Sequence, residues 1–78
     1  VMYKKDKQKQ IIIFVIFKET LFGEAGIDVS SIVEFTETSK YKVTQVLKEY
    51  DDMLIKNKIG RKNYYSFDLD AVDEKYLD

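Results

Sequence analysis

The sequence predicts an α+β fold: a three-helix core, a small antiparallel β-hairpin and a short C-terminal helix. Three observations lead there. In residues 39–52, Val43, Val46, Leu47 and Tyr50 recur at the i, i+3, i+4, i+7 spacing of one buried helical face. Residues 54–59 and 63–67 alternate in character on either side of Gly60-Arg61-Lys62-Asn63, the pattern of two strands and a turn. Residues 7–22 supply a further helical segment that is much more heavily apolar.

Residues 1–6 are polar and are expected to form a flexible arm. A first helix is expected over residues 7–22. Ile11, Ile12 and Ile13 favour a strand by propensity, but the segment's length, its flanking Lys and Gln, and its continuation through Thr20, Leu21 and Phe22 favour a helix. Gly23 and Gly26 bracket a loop, and Ile27-Asp28-Val29 reads as a short strand able to pair with the hairpin. Residues 30–52 hold the next two helices. Ser30 or Ser31 caps the second, with Ser31 and Glu34 at capping-box spacing; it runs to about Thr36 and buries Ile32, Val33 and Phe35 in part. Thr38 or Ser39 caps the third, which ends near Asp52. Residues 54–67 are the hairpin, with Gly60, the one turn residue that freely adopts positive φ, at its tip. Two of Tyr64, Tyr65 and Phe67 should face the core. Asp68 or Asp70 caps a last helix over residues 68–77, with Leu69, Val72, Tyr76 and Leu77 on its apolar side. The 78 residues contain no Pro and no repeat, and read as a single domain over residues 1–78.

The absence of Cys and His removes disulfides, thiolate chemistry and the usual zinc ligands. Asp51 and Asp52 are adjacent on a helix and cannot converge. Asp68, Asp70, Asp73 and Glu74 lack the glycine and distal glutamate of a calcium loop, and acids at a helix start are explained by the macrodipole. With no glycine-rich phosphate loop either, the chain reads as a non-enzyme with no cofactor, metal or small-molecule ligand. Residues 11–17 are seven apolar residues behind a Lys-rich start. That run is too short for a bilayer, which takes about 20 residues, and Lys18-Glu19 follows it in place of a small-residue cleavage site. The expectation is a cytoplasmic protein with no membrane partner.

The net charge of −1 conceals a segregation. Residues 1–10 hold four Lys against one Asp, residues 11–38 one Lys against five acids. Residues 39–63 hold seven Lys and Arg against three acids, residues 64–78 one Lys against five. Positive charge therefore falls on the arm, the third helix and the hairpin. On the third helix Lys40, Lys42, Thr44, Gln45 and Lys48 point away from the apolar stripe, and all suit phosphates or base edges. A helix that can fill a major groove, followed by a basic hairpin, is the layout of a DNA reader.

Residues 27–67 resemble the winged helix-turn-helix domain of MarR-like and other small prokaryotic, archaeal and viral transcription regulators. In that family a recognition helix opens with Ser or Thr, carries a Val and a Leu four apart, and leads through Leu-Ile or Leu-Val into the wing. Here these positions are Ser39, Val43, Leu47 and Leu54-Ile55. The family's turn glycine is replaced by Glu37, and the glycine that often ends the recognition helix is missing before Met53-Leu54. The resemblance implies sequence-specific binding of double-stranded DNA and regulation of transcription, with the third helix in the major groove and the wing on the backbone. The residues expected at DNA are Ser39, Lys40, Tyr41, Lys42, Thr44, Gln45, Lys48, Lys58, Arg61, Lys62 and Asn63. Ser39 is first an N-cap, with a phosphate contact compatible. Tyr41 either stacks on sugar and backbone or covers the core edge. Thr44 and Gln45 read bases, the amide through two hydrogen bonds to adenine and the Thr methyl against a thymine methyl. Winged helices that read Z-DNA carry Asn and Tyr where this chain has Thr44 and Lys48, so that subclass does not fit. The alternative is a winged helix used as a protein-interaction module within a larger replication or transcription assembly. Such domains tend to lose the positive charge that this chain keeps.

Residues 11–17 leave no polar face for two turns of the first helix, and a single small core covers only one side. Ile11, Ile13, Phe14 and Phe17 are therefore expected to pair two copies in a symmetric homodimer.

Overall fold

The computed structural model describes residues 6–23 and 25–72. Helix α1 spans Lys7–Phe22, the bounds expected from the sequence. Asp6 is its N-cap and accepts the Lys9 backbone N–H at 3.0 Å, so it belongs to the helix start rather than to an arm. The rest of that expected arm lies outside the described residues. The β-branched run is helical because the 3.6-residue period carries Ile12 and Ile16 onto one face, where both are fully buried. Burial against the other elements overrides the strand propensity of three consecutive isoleucines.

Strand β1 (Ile27–Asp28) leads directly into helix α2 (Val29–Thr36). Gly26 sits at φ +93°, and a Cβ there would meet the Tyr65 carbonyl oxygen at 2.4 Å. Only glycine lets the chain approach its neighbouring strand this closely. The cap of α2 is Asp28, not Ser30 or Ser31, which lie inside the first turn. Ser31 Oγ instead donates to Asp28 Oδ1 at 2.6 Å, and Glu34 is exposed. The shift follows from the pairing of Asp28 with Tyr64, which places the strand-to-helix junction at residue 28. The expected partial burial of Phe35 is also corrected. Phe35 is 67% exposed, while Thr36, four residues after Ile32, is buried and donates its hydroxyl to the Ile32 carbonyl at 2.6 Å.

Glu37 turns the chain in the left-handed region, φ 53° and ψ 39°, a conformation that a non-glycine residue adopts at some energetic cost. Helix α3 (Lys40–Glu49) follows, capped by Ser39, whose Oγ accepts the Lys42 N–H at 3.1 Å. It stops before the expected Asp52. The Met53 N–H bonds the Tyr50 carbonyl, and a 3-10 turn over Asp51–Met53 tightens the exit so that Met53 enters the core.

Strands β2 (Leu54–Ile59) and β3 (Lys62–Phe67) form the hairpin, and the three-stranded antiparallel sheet has the order β1-β3-β2. Lys62 and Asn63 belong to β3, so the turn is only Gly60-Arg61. Tyr65 and Phe67 face the core, as the alternation requires. Helix α4 (Leu69–Val72) begins beyond Asp68, whose Oδ1 accepts the N–H groups of Asp70 and Ala71. Leu69 is exposed and Val72 packs on the core; Tyr76 and Leu77 lie outside the described residues.

The core is Ile12, Ile16, Ile27, Ile32, Val43, Val46, Leu47, Met53 and Phe67, so every element from α1 to β3 except β2 buries a side chain in it. β1 pairs only with Tyr64 and Tyr65. Farther along β3 the Phe67 N–H donates to Thr20 Oγ1 at 2.9 Å, while that hydroxyl donates to the Ile16 carbonyl at 2.7 Å. Thr20→Val keeps the side-chain shape and strands a part-buried N–H. It is expected to lower stability by about 1–3 kcal/mol, read as a lower urea midpoint at unchanged m-value.

Candidate nucleic-acid interface

Helix α3 buries Val43, Val46 and Leu47, leaving a broad polar arc outward. Tyr41, Gln45 and Lys48, at i, i+4 and i+7, run down the middle of that arc, and Tyr41 is 72% exposed. It therefore does not cover the core edge. Gln45 Nε2 donates to the Tyr41 hydroxyl at 2.9 Å. Thr44 turns its hydroxyl back to the Lys40 carbonyl at 2.7 Å, which leaves its methyl as the group available for an outside contact. Ser39 is exposed, with its hydroxyl engaged as the helix cap.

The basic residues divide between two flanks of α3. On the hairpin side a cleft of about 470 Å³ is lined by Lys40, Arg61, Lys62 and Asn63, above Val29, Val33 and Tyr65. Asp28 and Ser30 also border it. The Asp28 carboxyl is held below the usual carboxylate range chiefly by the Ser31 hydroxyl, against the opposing effect of burial, with smaller help from a backbone N–H and from Lys62, whose Nζ is 3.8 Å away. On the α1 side a depression of about 510 Å³ is lined by Lys42, Gln45 and Lys48 together with Asp6, Lys9 and Glu49. Here Lys42 is ion-paired with Asp6, which lowers the Asp6 pKa. Lys9 bonds Glu49 at 2.8 Å and lies over the Tyr50 ring, contacts that raise the Lys9 pKa. Lys42 is thus less available to an outside anion than Lys40 or Lys48.

Cross-strand pairing sets Lys56 opposite Tyr65 and Lys58 opposite Asn63. Paired residues share a face, so both lysines lie on the sheet face that turns toward the helices. Lys56 is not in the set expected from sequence, although the period-2 alternation that links it to Lys58 carried the signal.

The outer side of α1 exposes Ile11, Phe14, Leu21 and Phe22 at 46, 67, 61 and 82%. Of the four residues expected at a dimer surface, Ile11 and Phe14 point outward. Ile13 and Phe17 pack against the core, and the Phe17 ring stacks on Phe67 with centroids 4.2 Å apart. Among the described residues no three His, Cys, Asp or Glu side chains gather as metal ligands, and no helix is long and apolar enough to cross a membrane. Comparison with protein-family models, curated proteins and solved structures finds no match for the chain.

Gly60 holds the first position of the hairpin turn at φ +65°, and Arg61 does not have positive φ, the pattern of a type II′ turn. Nothing lies within 4 Å of a Cβ added at Gly60, so a substitution acts through backbone strain alone. Gly60→Val is expected to cost about 1–3 kcal/mol by urea titration and to leave helical circular dichroism unchanged below the transition. Loss of that signal in buffer would mean that the hairpin tip is integral to the core.

Proposed function

We propose that this chain is a winged helix-turn-helix protein that binds double-stranded DNA in a sequence-specific manner and regulates transcription. The observation that carries the reading is the arrangement around α3. Its outward arc presents Tyr41, Thr44, Gln45 and Lys48, and the cleft beside it draws Lys40 together with Arg61, Lys62 and Asn63 of the hairpin. In this reading α3 lies in the major groove, where Gln45 addresses an adenine edge and the Thr44 methyl meets a thymine methyl. The hairpin is the wing and lies along the adjoining backbone.

Five cations, Lys40, Lys48, Lys58, Arg61 and Lys62, are assigned to phosphates; Lys42 is held by Asp6, and Lys62 lies at the longer distance of 3.8 Å from Asp28. Log K for duplex DNA should then fall against log salt with a slope of about −4.5. Arg61→Ala combined with Lys62→Ala lowers affinity on every sequence and flattens the slope by about two. Gln45→Ala relaxes preference at one base pair, by about 1–3 kcal/mol. Absence of salt-dependent duplex binding overturns the proposal and leaves the protein-interaction module in its place.

The partner proposed for the outer face of α1 is a second copy of the chain. Ile11, Phe14, Lys18, Leu21 and Phe22 form one stripe that is self-complementary in an antiparallel pairing. Ile11 then meets Leu21 of the other copy, and Phe14 meets the Lys18 stem, whose ammonium can sit over the ring. Sedimentation equilibrium at micromolar concentration should give twice the 9.2 kDa of the chain. Phe14→Glu should give folded monomers with much weaker DNA affinity. A wild-type monomer under these conditions rules the pairing out.

A further inference from the structure

Tyr41 and Gln45 are both exposed at the centre of the α3 arc, yet they are joined to one another by the 2.9 Å hydrogen bond from Gln45 Nε2 to the Tyr41 hydroxyl. The geometry points to Tyr41 as a positioning residue that presets the Gln45 amide for base reading. This inference rests on the proposed reading of α3 as the base-contacting helix, and it assigns to Tyr41 a role other than stacking on the backbone.

A glutamine side chain carries one carbonyl acceptor and two N–H donors on a planar amide. Bidentate recognition of adenine uses the carbonyl oxygen, which accepts from N6, and the N–H cis to that oxygen, which donates to N7. The other N–H points away from this edge and is the one free to meet a neighbour. On the proposed assignment this is the N–H that the phenol one helical turn earlier accepts, through its contact with Gln45 Nε2. The tyrosine ring has only two side-chain torsions, so it is a stiff post, and the long glutamine side chain loses rotamer freedom before any base is met. That assignment leaves the carbonyl and the N–H cis to it for an adenine, on a residue that is exposed. Lys48 completes the stripe at i+7 and, having donors only, cannot take the amide N–H in place of the phenol.

The two neighbouring polar side chains have other partners. The Thr44 hydroxyl is committed to the Lys40 carbonyl, and Glu49 to Lys9. Tyr41 is thus the group that Gln45 meets, and removal of one oxygen tests the idea without altering helix propensity or bulk.

The experiment compares the wild type, Tyr41→Phe, Gln45→Ala and the double variant by selection from a random duplex pool, followed by affinities on the selected duplex and its single-base-pair changes. The expected result is that Tyr41→Phe loses about three- to tenfold of the preference at the same base pair that Gln45→Ala affects, the range of a single net hydrogen bond. The salt slope and circular dichroism should match the wild type, and the double variant should lose no more preference than Gln45→Ala alone. In the free protein, one Gln45 side-chain amide proton should shift in the NMR spectrum on Tyr41→Phe. Full preference retained by Tyr41→Phe, a loss at a different base pair, or a loss additive with that of Gln45→Ala overturns the positioning role while the DNA reading stands. A uniform loss on all duplexes assigns Tyr41 to the backbone and overturns it equally. A wild-type chain that binds no duplex, or binds without preference, overturns the underlying reading itself.

Discussion

Three parts of the molecule meet at Phe67. Phe17 of α1 stacks on its ring, Tyr50 from the end of α3 meets it edge-on with centroids 6.5 Å apart, and Thr20 holds its backbone N–H. Phe67 is 4% exposed. A small sheet with one two-residue strand is marginal by itself, and here it is joined to the helices through this contact more than through β1. The orientation of the hairpin relative to α3, and so the cleft between them, depends on Phe67 keeping its place.

The polar contacts around α3 work on that base. The apolar stripe of α3 sets its rotation, and Ser39 sets where it starts. Two ion pairs, Lys42 with Asp6 and Lys9 with Glu49, hold the opening turns of α1 against the helix. Exposed pairs of this kind contribute little stability each. Their larger consequence is distributional: two acids offset the cations on the α1 flank, whereas Lys40, Arg61 and Lys62 on the hairpin flank face one acid, Asp28, which bonds Ser31 and pairs with Lys62. A chain with a net charge of −1 thereby concentrates positive potential along one side of a helix.

Helix α1 has a double task. Ile12, Ile13, Ile16 and Phe17 build the core, and Ile11, Phe14, Leu21 and Phe22 remain outside it. Large apolar side chains gathered on one exposed face are unusual for a monomer of this size. With no disulfide available to the chain, burial against a copy of itself is a physically economical way to add apolar contact.

The sequence by itself determined those features that depend on local period and capping. The bounds of α1 and β2, the buried stripe Val43, Val46 and Leu47, a cap at Thr38 or Ser39 and two inward rings among Tyr64, Tyr65 and Phe67 were legible, because each follows from the spacing of neighbouring residues. The outward arc of α3 was legible for the same reason. Tertiary structure decided the rest. Seven consecutive apolar residues have no preferred side, so only the packing of α2, α3 and β3 selected Ile13 and Phe17 for the core and left Phe14 outside. Asp28 displaced the serines as the α2 cap because β1 pairs with a strand more than thirty residues away. Asp6 took Lys42 from across the fold in the same manner. The Tyr41–Gln45 bond has local spacing, yet that spacing does not distinguish a tyrosine at the core edge from one in the open; only the rotation of α3 on its neighbours does. Periodicity is a property of adjacent residues, whereas the choice of partner belongs to segments that meet only after the chain has folded.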